Sequence, residues 1–312
     1  MTLPFGPLGL RCLSRSVLCG RNVKTVFLQQ TTSAGRYVHN IAKKDSVTVE
    51  LIGKICLIGL NCPEKKNAVN SQTAHSLYRA FQDFEHNDQT HVAVLFGKGG
   101  NFCAGFDLKE LADEFRSAEV ALPDSPSRTE RAPMGPTRMS FSKPVIAAVS
   151  GYAVAGGLEL ALMCDLRVVE ESAIMGVYNR RLGVPLVDGC TVRLPKLIGL
   201  SRAMDLILTG RPVDSKEALQ IGLANRVVPN GTAIGQATQL ALSISRYPQV
   251  CLQADRRSAY YSCYDATSRQ EALQYEFLNG RDVLTVESIK GAQKFVEGYG
   301  KHGAFDTENK EK

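Results

Sequence analysis

"KPVIAAVSGYAVAGGLELALMCDLRVV", residues 143–169, holds a whole structural unit in one run. "VIAAV" is a short apolar run set between Pro144 and a glycine turn, and it reads as a buried strand. Gly151, Gly156 and Gly157 punctuate the next stretch, and "LELALM" is a run of strong helix formers. "LRVV" closes the unit as a second strand. One carboxylate, Glu159, falls on the first turn of the predicted helix.

The same order occurs once before. "VAVLFG" (92–97) reads as a buried strand, and "KGGNFCAGFDLKEL" (98–111) as a glycine loop entering a helix. Two strand–glycine–helix units argue for α/β layering with parallel strands. Upstream, "SVTVELIGKICLIGLN" (46–61) predicts a hairpin around Gly53-Lys54. "NCPEKKNAVN" (61–70) is rich in turn residues, and Asn70 or Ser71 is placed to cap a helix with Ala74, Leu77, Phe81 and Phe84 on one side. Residues 115–139 are rich in Pro, Ser and Arg, which predicts a mobile loop over a site. From "LSRAMDLILTG" (200–210) onward helical periodicity dominates.

Glycine at a strand-to-helix junction lets the main chain approach a ligand closely. The first N–H groups of a helix have no partner inside it and point outward as donors. One such set from each loop would converge on a single developing oxyanion. A plainer reading has the glycines simply letting helices pack closely, and spacing alone leaves both open. G-x-G-x-x-G spacing and a G-K-[ST] P-loop are both missing. His39, His75, His86, His91 and His302 all lie outside the glycine loops, which argues against a Ser-His-Asp nucleophile.

Together, "FCAGFDL" (102–108), the 143–169 run and "RLPKLIGLSRAMDLILTGRPVDSKEALQIGLANRVVP" (193–229) resemble the enoyl-CoA hydratase/isomerase, or crotonase, superfamily over about residues 46–300. The resemblance implies an α/β fold, a crotonase-like spiral of ββα units with a C-terminal helical segment. It implies an acyl-CoA thioester as substrate, its oxygen held by the N–H groups of Phe106 and Gly156. Glu159 matches the family's first catalytic glutamate. Lys66, Ala68, Ala104, Gly105, Asp107, Leu108 and Gly157 match positions near the substrate and its coenzyme A. The resemblance also implies a homotrimer or hexamer. No metal or redox cofactor is implied, coenzyme A entering as part of the substrate. Independently of the family, a carboxylate three residues past Gly156 reaches the carbons beside an activated carbonyl. An apolar site would raise its pKa toward neutrality. Its plainer role is favourable charge at a helix N-terminus, ~0.3–1 kcal/mol.

The match breaks in "VYNRRLGVPLVDGCTVRLP" (177–195). Hydratases of the family carry a second glutamate where this chain has Asn179, and an amide orients water without exchanging a proton. Asp188 resembles an aspartate of the family's dienoyl-CoA isomerases and is a candidate second acid/base. It also reads as the N-cap of the following helix. Arg180 and Arg181 read either as partners for an anionic acyl group or phosphate, or as solvated surface charges. Hydration is the leading reading; isomerisation, decarboxylation, thioester hydrolysis and acyl-CoA binding without turnover stay open.

The formal charge of +6 belongs to one end of the chain. Residues 1–44 hold seven Lys and Arg and no acid; without them thirty basic residues face thirty-one acidic ones. A basic nucleic-acid-binding surface is therefore not expected. This acid-free, Arg- and Ser-containing leader resembles a mitochondrial transit peptide, which implies the mitochondrial matrix; a disordered basic tail is the alternative. No apolar run reaches the ~18 residues of a membrane span. The nine cysteines form no C-x-x-C pair, and Cys56, Cys103 and Cys164 read as buried free thiols. The organisation expected is a leader over 1–44, a crotonase-like core over 45–229, a helical oligomerisation segment over 230–300 and a polar tail over 301–312.

Overall fold

Strands β1 (Val47–Ile52) and β2 (Ile55–Leu60) pair antiparallel across the predicted Gly53-Lys54 turn. Gly53 takes φ 56°, the left-handed conformation that so tight a hairpin demands. The computed structural model describes residues 45–116 and 131–300. The expected leader, the polar tail and the middle of the 115–139 loop lie outside the described residues.

Helix α1 (Ser71–His86) follows, capped by Asn70, whose side chain accepts from the Thr73 N–H at 2.9 Å. Next come β3 (Val92–Gly97), α2 (Leu108–Arg116), β4 (Val145–Val149), β5 (Tyr152–Val154), α3 (Gly156–Met163), β6 (Leu166–Glu170) and β7 (Ile174–Gly176). The remainder is α4 (Cys190–Ile198), α5 (Leu200–Thr209), β8 (Val213–Asp214), α6 (Ser215–Gln220), β9 (Arg226–Val228), α7 (Ala233–Ser245), α8 (Gln249–Tyr264), α9 (Arg269–Val283) and α10 (Ile289–Val296).

The main sheet runs β1-β2-β3-β4-β6-β9 and is parallel from β2 onward. Alternate residues of its central strands enter two different cores. Cys56, Leu95, Val145 and Ala147 share one cluster with Leu77 and Phe81 of α1 and Leu158 of α3. Leu57, Val94, Ile146 and Ala148 share the other with Ala233, Ala237 and Ala241 of α7. A strand buried on both faces needs an apolar side chain at every position, which is why these runs read as continuous. Alanines four residues apart give α7 one flat stripe to lay on the strands.

Three features depart from the sequence reading. A second, small sheet, β5-β7-β8, stands beside the first. Strand β9 joins the main sheet from a region read as helical. Helix α7 packs into the core, so the helical segment that begins at residue 230 starts inside the globule. Residues of α8 and beyond join neither core cluster. Helix α8 is fastened by Asp165, whose Oδ1 accepts from Arg256 Nε at 2.9 Å and the Tyr260 hydroxyl at 2.8 Å.

Asn70→Ala removes the cap of α1, and we expect a loss of about 1 kcal/mol of stability in urea unfolding with an unchanged m-value.

Candidate active site

Two turns carry the predicted oxyanion donors, and main-chain bonds fix both. Val69 and Phe106 form a parallel bridge in which the Val69 N–H donates to Gly105 O and the Asp107 N–H to Val69 O, each at 2.8 Å. These bonds flank Phe106, so its own N–H is left without a partner among the described residues. Gly156 opens α3, and its N–H, the first of the helix, has no partner among the described residues either. The turns touch: a Cβ on Gly105 would stand 3.1 Å from the Gly156 nitrogen. Ala155, between β5 and α3, adopts φ 52° and ψ −128°, a conformation costing a side-chain-bearing residue of order 1–3 kcal/mol. It is held there by its N–H bond to Gly176 O at 3.0 Å and by the Leu158 and Glu159 N–H groups that its carbonyl accepts.

Glu159 is 1% exposed, one turn from Gly156. Its Oε1 accepts from the N–H groups of Asp188 and Cys190, both at 3.0 Å. Cys190 is the first residue of α4, so the carboxylate caps that helix from a distance. Oε2 has no hydrogen-bond partner among the described residues. Burial and the neighbouring Asp188 charge push the Glu159 pKa up to about 7, against the pull of its two N–H donors and Arg193.

Asp188 does not cap α4. That position belongs to Gly189, which makes no side-chain cap. Instead Asp188 Oδ1 accepts from the Met134 N–H at 3.0 Å and the Thr137 hydroxyl at 2.5 Å. The carboxylate thus ties the 134–137 turn to the start of α4, and burial raises its pKa. Arg193 closes the same ring, donating to Asp188 O at 3.0 Å and to Thr137 O. Part of the expected mobile loop is therefore fixed: Ala132, Met134, Gly135, Pro136 and Thr137 are all buried.

Asn179 lies in a short 3-10 turn, Tyr178–Leu182, just past the Gly176 carbonyl that holds Ala155. It is 6% exposed, and its carboxamide makes no hydrogen bond among the described residues. Arg180 and Arg181 are both exposed, as the surface-charge reading expects, and each also bonds a carbonyl. Arg181 donates to Gly210 O at 3.0 Å over the Tyr178 ring, and Arg180 to Ile207 O at 3.4 Å, so both fasten this turn to α5.

Most of the predicted coenzyme A positions are brought together. Ala104 N–H donates to Lys66 O at 3.0 Å, and Asp107 pairs with Lys65 at 2.7 Å, which holds the Asp107 carboxyl below its usual range. Ala68 and Gly105 lie on the same pair of loops, and Leu108 is exposed where α2 begins. Gly157 is different: a Cβ there would stand 2.1 Å from Cys103 O, so its glycine is required for packing. Sequence reasoning missed Asn67, whose side chain joins the loops by accepting from the Cys62 N–H and donating to Lys98 O and Asn101 O. It also missed Met134, Thr137 and Arg193, whose parts are set by contacts distant in sequence. Cys56, Cys103 and Cys164 are free and buried, with thiols pushed up to about 12. Among the described residues no helix is long and apolar enough to cross a membrane.

A family model for enoyl-CoA hydratase/isomerase matches residues 50–302. The chain belongs to the enoyl-CoA hydratase/isomerase family. It is 34% identical over 253 residues to the Dictyostelium discoideum protein named "Probable enoyl-CoA hydratase, mitochondrial", covering 80% of this chain and 87% of that one. An enoyl-CoA hydratase of Mycobacterium tuberculosis is 34% identical over 255 residues, 80% and 92% of the two chains. The crystal structure of an enoyl-CoA hydratase from Mycobacterium tuberculosis H37Rv matches with a TM-score of 0.73 at 34% identity, over 81% and 96%. That of Mycobacterium marinum also gives 0.73, at 32% identity. The fold is the crotonase fold that the resemblance implied.

In this enoyl-CoA hydratase/isomerase family enzyme, Glu159 holds its proton in the folded state to a higher pH than in the unfolded chain. Between pH 4.5, the ordinary value, and about 7 the folded state binds the extra proton, so this group's stabilising contribution is full below that window and lost on rising through it. We expect Glu159→Gln to flatten that part of the stability–pH curve and to be more stable than wild type at pH 8 in urea unfolding.

Proposed function

We propose that this chain hydrates a 2-enoyl-CoA thioester, with Glu159 as the acid/base. One observation carries the reading: two main-chain N–H groups without partners among the described residues lie on touching turns, one of them a helical turn from a buried carboxylate. The Phe106 and Gly156 N–H groups would accept charge developing on the thioester oxygen. Glu159 takes a proton from water as the water oxygen bonds to C3, and the alkene electrons move to the thioester oxygen. The enolate then collapses, C2 takes up a proton, and the carboxylate is restored. A pKa of about 7 suits both halves of that exchange at neutral pH. No redox step arises, and coenzyme A takes part only as a portion of the substrate.

Asp188 supports a second reading, isomerisation. Its Oδ1 is engaged and its Oδ2 has no partner among the described residues, so a second carboxylate next to Glu159 is free to move a proton. Asn179, placed where the family's hydratases carry their second glutamate, would orient water without exchanging a proton. Lys66, Ala68, Ala104, Gly105, Asp107 and Leu108 would receive the coenzyme A portion, with Lys66 the exposed cation among them.

The mitochondrial matrix is supported by the acid-free basic leader and by the name of the Dictyostelium discoideum relative. A homotrimer or hexamer is supported by the apolar side chains that α9 and α10 leave exposed, among them Phe277, Ile289, Phe295 and Val296.

Crotonyl-CoA should lose its conjugated-thioester absorbance at a rate in the enzyme range of ~1–1000 per second. Tight acyl-CoA binding without turnover on short, long and branched enoyl-CoAs would favour a binding protein instead. Glu159→Gln should lower kcat by ~100-fold or more with acyl-CoA affinity near wild type; unchanged turnover removes Glu159 from the chemistry. With Glu159 acting as base, wild-type activity rises with pH through about 7. Asp188→Asn keeps an acceptor for Met134 and Thr137. A large loss of rate in this folded variant assigns Asp188 a proton, and an unchanged rate leaves it a clamp.

A further inference from the structure

The 132–135 turn has a feature that the proposed chemistry does not use. Ala132 and Gly135 exchange main-chain bonds of 2.9 and 2.8 Å, closing the turn on itself with Met134 inside it. A Cβ on Gly135 would stand 2.6 Å from Ala74 O, so the turn is wedged against α1. On its other side the Met134 N–H is held by Asp188. The side chain, 1% exposed, is left lying on Gly156. A Cβ on that glycine would meet Met134 Sδ at 2.6 Å, Cγ at 2.9 Å and Cε at 3.1 Å.

Gly156 is the residue whose N–H is proposed to hold the thioester oxygen. The carbon that reacts next to the carbonyl, C2, is two bonds from that oxygen, and the Gly156 Cα is one bond from that N–H. A thioester held there would bring a substituent on C2 within reach of the thioether that lies on Gly156. Unlike an exposed side chain, Met134 has little room to swing away, because its turn is closed, wedged and tied at three points. We propose that Met134 is a specificity-determining residue that limits the substituent at C2 of the acyl group, so that the site takes acyl-CoA thioesters unbranched at C2. The proposal rests on the acyl-CoA reading above and narrows its substrate class.

One methyl group in an apolar pocket changes discrimination by ~10–200-fold. Wild type should prefer crotonyl-CoA to 2-methylcrotonyl-CoA in kcat/KM. Met134→Ala should shrink that preference by tenfold or more, with Met134→Val between them. A variant that is merely less folded loses both rates together and leaves their ratio alone. Should Met134→Ala fail to fold, the Val variant carries the test. The same ratio is read without turnover from the calorimetric Kd of butyryl-CoA against 2-methylbutyryl-CoA. If binding ratios move and no variant, wild type included, hydrates anything, the hydration reading fails and the assignment of Met134 stands. Ratios that stay fixed in folded variants, or a wild type that treats the branched and straight esters alike, overturn the proposal. A wild type that binds neither ester overturns both.

Discussion

A buried carboxylate bound through one oxygen and open at the other is what the rest of this structure is arranged around. Burying a charge without donors is costly, and so is starting a helix with its first N–H groups unpaired. Glu159 and α4 remove both costs at once, since Oε1 takes the Asp188 and Cys190 N–H groups. The exchange is deliberately incomplete in its electrostatics. Two N–H donors and Arg193 favour the ionised form, yet burial and the Asp188 charge outweigh them, so the group titrates about where the cell does. A fully satisfied glutamate would be a fixed anion, and an unsatisfied one a permanent acid.

Holding that carboxylate beside two free main-chain donors needs turns that approach more closely than side chains allow. Cys103 bridges Ala153, so the loop after β3 is stitched to β5 before either chain enters its helix. Gly157 then lets α3 rest directly on the Cys103 carbonyl. Ala155 takes up the remaining misfit as backbone strain, and β7 keeps it there through Gly176. The small sheet β5-β7-β8 thus braces one strained residue while its Ala153, Met175 and Val213 join the core. Sites braced by strands and helices hold their geometry better than sites carried on loops alone.

What the sequence discloses follows the range of the interactions. The hairpin, α1 with its Asn70 cap and the buried parallel strands are legible because local pattern decides them. The placement of Glu159 on the first turn of α3 is legible because the glycine run and the helix formers after it mark where that helix begins. Strands of two or three residues, such as β8 and β9, have too little length for a period to register. Helix α7 is correctly read as a helix, but nothing local says that its alanine stripe lies on the sheet. The cap reading of Asp188 is the instructive miss: an aspartate ahead of a helix has the form of a cap, and only the fold reveals the Met134 and Thr137 donors some fifty residues earlier in the chain. Asn67, Thr137 and Arg193 were invisible for the same reason, each joining segments that the sequence keeps apart.

The chain's departure from the family's hydratases at Asn179 has a physical counterpart. Glu159 already lies beside a second carboxylate, and the Asp188 charge raises its cost of ionisation. A third acid on the segment past β7 would add to that repulsion. An amide keeps the position polar and adds no charge, at the expense of a buried group with no hydrogen bond, ~1–3 kcal/mol. A stable fold has no reason to retain that cost for packing, since an apolar side chain of similar size would avoid it. An unpartnered amide suits a partner that arrives with water or substrate, which is the part proposed for Asn179 above.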